Sequence, residues 1–366
     1  MLKILITSVG SLVGSNILDI LEGRRQDLQI IGTNSIAEEA ALYRCDKAYF
    51  VPPTREQRVK FSNRLLEILE IERPDLIIPA RDDDLNILAA LKVSRPEFTD
   101  CTLCGGGKSV EIITDKWLTY EFATKHNLPF ATSAIPNPDS KNSEVKLLTA
   151  EYGFPLLAKP RDGFGSHGVF IISNEEQLRF ALGIENIVIQ QYLSDPENLE
   201  GLSSRLQNEG TPLFFSLEES KYSLQTFIHR DGTVGEIFCT QHTMVSGKSL
   251  KVEKTTNDAL ENIALRYAKA MASEGWFGPL NIQCQHQSGK FVAYELNGRF
   301  TGATSARYYL GFDEVGNTLS ALFGFRLESN RLPASSQVSR YITTLPIPDA
   351  AVANILNQRN WQKDTL

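Results

Sequence analysis

Glu295-Leu296-Asn297-Gly298-Arg299 and, upstream of it, Asn281-Ile282-Gln283 hold the side chains best suited to chemistry in this chain. Asn281, Gln283, Glu295 and Asn297 occupy odd positions, while Leu280, Ile282, Cys284, Val292, Tyr294 and Leu296 occupy even ones. Period-two alternation of this kind marks a half-buried strand. Between the two segments, His286-Gln287-Ser288-Gly289-Lys290 is turn-like, which predicts an antiparallel hairpin. Its polar faces coincide only if odd residues pair with odd, and a loop of odd length follows. Gln283, Glu295 and Asn297 then project together as an oxygen-rich cluster, with Arg299 just beyond the strand. Oxygen donors suit a hard cation such as Mg²⁺, which takes one or two carboxylates and completes its octahedron with phosphate oxygens and water. Arginine supplies a forked donor for phosphate. A hairpin with a solvated polar face would show the same alternation, so the reading depends on its company.

That company begins with a strand ending in Lys159-Pro160, the loop Arg161-Asp162-Gly163-Phe164-Gly165-Ser166-His167-Gly168, and a returning strand Val169 to Ile172. Glycines let backbone amides approach phosphate oxygens, and the lysine adds positive charge. This is no Walker A loop: G-x-x-x-x-G-K-S/T is missing, and Gly247-Lys248-Ser249 reads as a turn. The full H-R-D-L-x-x-x-N and D-F-G signatures of protein kinases are also absent, since His229-Arg230-Asp231 is followed by Gly232. Ile187-Val188-Ile189 reads as an apolar strand running into Gln190-Gln191-Tyr192-Leu193, whose backbone could hydrogen-bond an adenine between apolar side chains. A buried strand with a polar exit fits it as well.

The elements that must position these residues start with a βα pattern. Strands are predicted over Lys3 to Ser8, Gln29 to Gly32, Ala48 to Val51 and Leu76 to Ile78, with helices from Asn16 to Glu22 and from Phe61 to Glu70. Such alternation implies a parallel sheet covered on both sides. Gly10 and Gly14 lie in the first turn without completing G-x-G-x-x-G, and close packing of helix on strand explains them equally well. Pro79-Ala80-Arg81-Asp82-Asp83-Asp84 follows the carboxyl end of a strand, where open α/β sheets bind ligands. Arg81, Asp83 and Asp84 are therefore substrate candidates, as is Arg307 for a substrate carboxylate. For each, a helix cap or an ion pair is the alternative, the acids preceding a helix over Leu85 to Leu91. Gly105-Gly106-Gly107 marks a boundary, and Asp115 caps a helix carrying Lys116 and Trp117 through His126. A further helix spans Glu144 to Tyr152; a strand over Val338 to Leu345 and a short helix close the chain.

The 366 residues, 42% hydrophobic and 22% charged, suffice for two or three domains. A net charge of -7 without a long basic run argues against nucleic acid or an anionic membrane as partner. The cysteines at 45, 101, 104, 239 and 284 are scattered, and Cys101-x-x-Cys104 has no second pair to complete a zinc knuckle. Ile4 to Leu21 is broken by too many polar residues for a signal peptide, and no other apolar stretch is long enough to span a membrane, so a cytoplasmic location is expected.

The order along the chain of helix lysine, strand lysine, glycine loop, apolar hinge and Gln283/Glu295/Asn297 hairpin with Arg299 resembles the ATP-grasp superfamily, in its carbamoyl-phosphate-synthase large-subunit-like branch. The likeness runs from Lys3 to about Phe325. It implies an α/β and α+β fold: an N-terminal Rossmann-like parallel-sheet domain (1–107), then an ATP-grasp fold of two α+β subdomains, a central and lid region with the glycine loop (108–186) and a C-terminal subdomain with the metal site (187–330), followed by an extension (331–366). It implies that Lys116 and Lys159 contact ATP phosphates, that Gly163, Gly165, Ser166, His167 and Gly168 close over them, and that adenine sits against Gln190, Gln191, Tyr192 and Leu193. Glu295 would bridge two Mg²⁺ ions, with Mn²⁺ as a substitute, Gln283 and Asn297 would each complete one site, and Arg299, with Lys159 a catalytic residue, would hold the transferred phosphate. The chain departs from the pattern at Gln191, where the family carries a glutamate, at Glu218, Glu219 or Lys221, where a ribose-binding acid is expected, and at Gly298, where proline is common. The implied activity is an ADP-forming carboxylate-amine ligase working through an acyl phosphate on a small carboxylate and an amine, with a homodimer as the assembly considered. A bicarbonate-activating carboxylase, a carbamoyl-phosphate-synthetase-like enzyme and a noncatalytic nucleotide-binding module are the alternatives, and a dehydrogenase rests only on the first glycine turn.

Overall fold

Strands with uninterrupted apolar runs are stable only when both of their faces are covered, and the N-terminal sheet meets that condition. In the computed structural model, residues 1–163, 165, 167–209, 221–245, 248–328, 335–341 and 344–363 are described. Strands β1 (Leu2–Ile6), β2 (Leu28–Asn34), β3 (Lys47–Phe50) and β4 (Leu76–Ile78) lie in parallel in the order β3-β2-β1-β4. On one face Ile4, Ile6 and Ile30 pack against Val13, Ile17 and Ile20 of α1 (Leu12–Leu21). On the other, Leu5, Ile31 and Ile77 meet α2 (Arg58–Glu72) and α3 (Asp82–Ser94). Helix α1 starts earlier than the sequence suggests, because the Ser11 hydroxyl caps it by accepting from Gly14 N at 3.1 Å. Gly14 thus lies inside the helix, and a Cβ there would stand 2.2 Å from the Val9 carbonyl oxygen; close helix-on-strand packing accounts for it. Helix α3 likewise begins at Asp82 and not Leu85, placing all three acids in its first turn, where the helix dipole favours them.

Gly107 opens a helix, α4 (Gly107–Thr114), which buries Val110, Ile112 and Ile113; α5 (Lys116–Lys125) follows, with the Asp115 carboxylate accepting from Trp117 N and Leu118 N. An antiparallel sheet of β5 (Ser133–Ala134), β6 (Leu156–Pro160), β7 (Phe170–Ile172) and β8 (Ile187–Gln191) is ordered β5-β8-β6-β7 and shares an apolar core with α6 (Ser143–Tyr152) and α7 (Glu175–Ala181). After α8 (Pro196–Asn208) comes a larger antiparallel sheet of β9 (Lys221–Ile228), β10 (Phe238–Val245), β11 (Lys248–Lys254), β12 (Gly278–Gln287), β13 (Lys290–Asn297) and β14 (Gln337–Ser339), ordered β13-β12-β9-β10-β11-β14. Helix α9 (Asp258–Ser273) buries Leu260, Ile263, Ala264, Tyr267 and Met271 at helical spacing against Leu224, Leu280, Ile282 and Cys284. The other face of the sheet carries the polar side chains of Asn281, Gln283, Glu295 and Asn297.

Helices α10 (Thr304–Tyr309) and α11 (Glu314–Phe323) follow the hairpin. The last stretch does not form a unit of its own. Its strand β14 is shorter than expected and joins β11, whereas α12 (Asp349–Gln358) and β15 (Asn360–Gln362) return to the N-terminal sheet, β15 pairing antiparallel with β3. Trp361, 6% exposed, meets the Tyr43 ring edge-on at 5.4 Å. Among the described residues, no helix is long and apolar enough to cross a membrane.

Candidate active site

β12 and β13 pair with Asn281 opposite Asn297 and Gln283 opposite Glu295, so the four polar side chains share one face. Odd meets odd, as the alternation requires, but the loop is not odd. Gln287 pairs with Lys290 across Ser288-Gly289, whose φ values of 50° and 78° suit a tight two-residue hairpin turn. A β-bulge restores the parity: Cys284 faces Ala293, leaving Tyr294 as the extra residue. The bulge re-aims Tyr294, whose hydroxyl donates to Gln283 Oε1 at 2.8 Å and whose ring centroid lies 5.4 Å from Lys159 Nζ.

A cleft lies along this edge of the sheet, lined by Lys116, Gly163, Tyr294, Glu295, Asn297 and, from the N-terminal domain, Asp82. Lys116 Nζ donates to the Gly163 carbonyl at 3.1 Å, tying α5 to the glycine loop. Gly163, Gly165 and Gly168 have φ of +135°, +62° and +73°, which L side chains rarely adopt, so the loop takes this course only with glycine there. His167 is exposed. Ser166 lies outside the described residues, as do Glu218 and Glu219. Lys159, at the end of β6, donates to Gln190 Oε1. Desolvation lowers its pKa to about 8, with the neighbouring cations Lys116 and Lys221 adding to the fall and the Glu295 carboxylate opposing it. Gln190 also donates to Ser133 Oγ, and Gln191 is fixed between Thr132 N and Gln287 Oε1, so both side chains are held by protein partners. Leu193 is buried beside them and Tyr192 half-buried.

Arg299 is 11% exposed and locked in a bidentate pair: its Nε lies 2.9 Å from Asp82 Oδ1 and its Nη2 2.6 Å from Asp82 Oδ2. Nη2 also donates to Asn297 Oδ1 at 3.1 Å. Desolvation works against its charge, but Asp82, Glu295 and Asp84 together raise its pKa. Neither Asp82 nor Tyr294 was singled out for the site in the sequence. Asp82 sits in an acidic run that reads as helix-capping, and Tyr294 falls on the apolar side of the alternation until the bulge turns it. Gly298, between Asn297 and Arg299, packs beneath Trp276: a Cβ there would stand 2.3 Å from Trp276 Cη2 and 2.7 Å from Ile113 Cδ1.

The four substrate candidates fare differently. Arg81 stands at the N-cap of α3, outside the end of β4. Asp83 accepts from Arg55 Nε at 3.0 Å in a partly exposed ion pair. Asp84 is wholly buried, accepts from Thr7 Oγ1 at 2.7 Å, and has its pKa pushed up to about 6 by burial. Arg307 is also wholly buried; its Nε donates to Glu314 Oε1 at 2.7 Å and its Nη2 to Thr301 Oγ1 at 2.8 Å. Asp84 and Arg307 therefore sit inside protein networks and present no open surface.

As cation ligands, the residues form a set with one carboxylate and several carboxamides; among the described residues no group of three His, Cys, Asp or Glu comes together. Asn281 Oδ1 is buried without a hydrogen-bond partner on the same face, an acceptor lacking a donor or cation. A donor set this poor in charge suits Mg²⁺ bound largely through phosphate and water, and does not suit a structural zinc.

Residues 113–303 match the family described as ATP-grasp domain, and residues 4–100 match PylC-like, N-terminal domain. Among curated proteins, pyruvate carboxylase of Aspergillus niger is 25% identical over 104 residues, which is 25% of this chain and 9% of that protein, so the chain spans under a tenth of that relative. Among solved structures, the biotin carboxylase domain of the Hydrogenobacter thermophilus 2-oxoglutarate carboxylase, in complex with MgADP, ADP and bicarbonate, superposes with a TM-score of 0.63 at 16% identity, covering 90% of this chain and 71% of that one. An L-amino acid ligase from Bacillus licheniformis superposes with a TM-score of 0.62 at 13% identity, covering 88% and 74%. At these identities the likeness is one of fold.

Proposed function

Because the chain belongs to the ATP-grasp family, we propose that it is an ATP-dependent ligase, activating a small carboxylate as an acyl phosphate and passing the acyl group to an amine with release of ADP and phosphate. The observation that carries this reading is the meeting of Lys116, Gly163, Glu295, Asn297 and Asp82 around one cleft. In this reading Lys116 and Lys159 bind the triphosphate, the glycine loop covers it, and adenine lies against residues 190–193. Mg²⁺, held by Glu295 with Gln283 and Asn297, would neutralise phosphate charge and favour in-line transfer.

The chain's own residues have defined work. Lys159 and Arg299 offer fixed cations for the phosphoryl group in flight, and Asp82 holds the Arg299 fork in orientation. A carboxylate oxygen of the substrate attacks the γ-phosphorus and ADP leaves. The amine nitrogen then attacks the acyl carbon, the bond from that carbon to the bridging oxygen breaks, phosphate departs with the electron pair, and the nitrogen loses a proton. The protein contributes no nucleophile. Arg81, at the carboxyl edge of the N-terminal sheet, is the residue we assign to the substrate carboxylate.

A phosphate-release screen of small carboxylates, each with a panel of amines, tests this. ADP and phosphate should form only when acid and amine are both present. Pyrophosphate and AMP as products would show adenylation and overturn the proposal.

A further inference from the structure

A second pocket opens on the polar face of the large sheet, one step along β9 and β12 from the Asn281–Asn297 pair. Gln225, opposite Asn281 in the register, lines it together with Phe227, Phe300, Phe312 and, from α11, Glu314. Gln225 is 1% exposed, yet neither its amide oxygen nor its nitrogen has a hydrogen-bond partner. Glu314 is 5% exposed; its Oε1 accepts from Arg307, and its Oε2 has no partner. Buried polar atoms are nearly always paired, so three atoms without a protein partner on the wall of one pocket point to a ligand that pairs them.

The chemistry of the walls selects the ligand. Its charged lining residues are Glu314 and, at the exposed mouth, Glu236, with no lysine or arginine among them. Arg307 behind Glu314 is paired through Oε1, which leaves Oε2 as a buried acceptor without a donor. An unpaired carboxylate oxygen between phenyl walls, with Glu236 at the mouth, favours a hydrogen-bond-donating cation on an apolar body over an anion. Behind Glu314, a chain of buried hydrogen bonds joins the pocket wall to the first site: Arg307 Nη1 lies 3.5 Å from Ser223 Oγ, which accepts from Asn281 Nδ2 at 2.8 Å and stands opposite Gln283.

We propose that this pocket binds the amine substrate, a primary amine with an apolar, ring-sized side chain, its ammonium on Glu314 Oε2 and the Gln225 carbonyl, its side chain among Phe227, Phe300 and Phe312. The assignment rests on the ligase reading and supplies the class of its nucleophile.

Calorimetric titration of the full chain with 2-phenylethylamine and with 3-phenylpropionate, an anion of similar size, tests it beside a separate titration with MgADP. The amine should bind saturably and at least tenfold more tightly than the acid. Gln225→Leu removes an unpaired amide, so its thermal midpoint and MgADP binding should be unchanged or higher while amine affinity falls at least tenfold. Glu314→Gln keeps an acceptor for Arg307 and should abolish the preference for amine over acid. Equal binding of the two probes, or wild-type amine affinity in Gln225→Leu, overturns the pocket assignment. So does MgADP binding without amine binding, which leaves the ligase reading standing; failure to bind MgADP overturns both.

Discussion

Glu295 is the only carboxylate in the proposed cation set, and the amides beside it cannot replace its charge. Glu295→Ala should lower substrate-dependent phosphate release by at least about 100-fold, on the scale of losing a central electrostatic group; near wild-type release would remove this residue from the site. Lys159 provides a pH test. Its pKa of about 8 means that it loses its charge as the solution passes through that value, so affinity for MgADP should decline above it. Lys159→Gln should bind more weakly and show no such decline. Asp84 titrates in the opposite sense. Its pKa is about 6 in the fold against 3.8 for the free group, so the native state binds more protons between those values. Stability is thus lost as pH rises through about 6, by on the order of 3 kcal/mol in full. Asp84→Asn should keep the Thr7 hydrogen bond and lack this slope in urea denaturation.

Among the elements, the β12–β13 hairpin shows both what the sequence discloses and what it hides. The alternation from Leu280 to Cys284 and from Val292 to Asn297 was legible, as was the shared face of Gln283, Glu295 and Asn297, because a strand's two faces are written in successive residues. The bulge at Tyr294 was not, since a bulge is a relation between two strands. For the same reason β9, β10 and β11 went unread: their order depends on pairings such as Gln225 with Asn281, far apart in the chain. Helix α4 was masked by Gly105-Gly106-Gly107, which looks like a linker although Val110, Ile112 and Ile113 are buried just after it. The strands β1 and β4 were read nearly to the residue, because burial on both faces leaves an apolar run. Gly298 gives an element-level prediction. Gly298→Ala would overpack the contact with Trp276 and Ile113 and should cost about 1–3 kcal/mol in chemical denaturation; an unaffected midpoint would contradict the packing described.

At the scale of the whole molecule, the chain closes on itself through β15, which pairs with β3 and sets Trp361 against Tyr43. Trp361→Ala should cost about 3 kcal/mol through loss of that buried ring, and its cleft chemistry should survive at temperatures where the fold persists. The domains are also joined by charge. Arg299, from the segment after the hairpin, takes its orientation from an acid at the start of a helix in the N-terminal domain. Asp82→Asn should therefore reduce kcat at least tenfold, leaving KM for ATP little changed. A chimera that grafts a foreign N-terminal sheet onto residues 113–303 would inherit the lysines and the glycine loop yet leave this guanidinium without its rudder, unless the donor sheet brings an aspartate to the same helical turn.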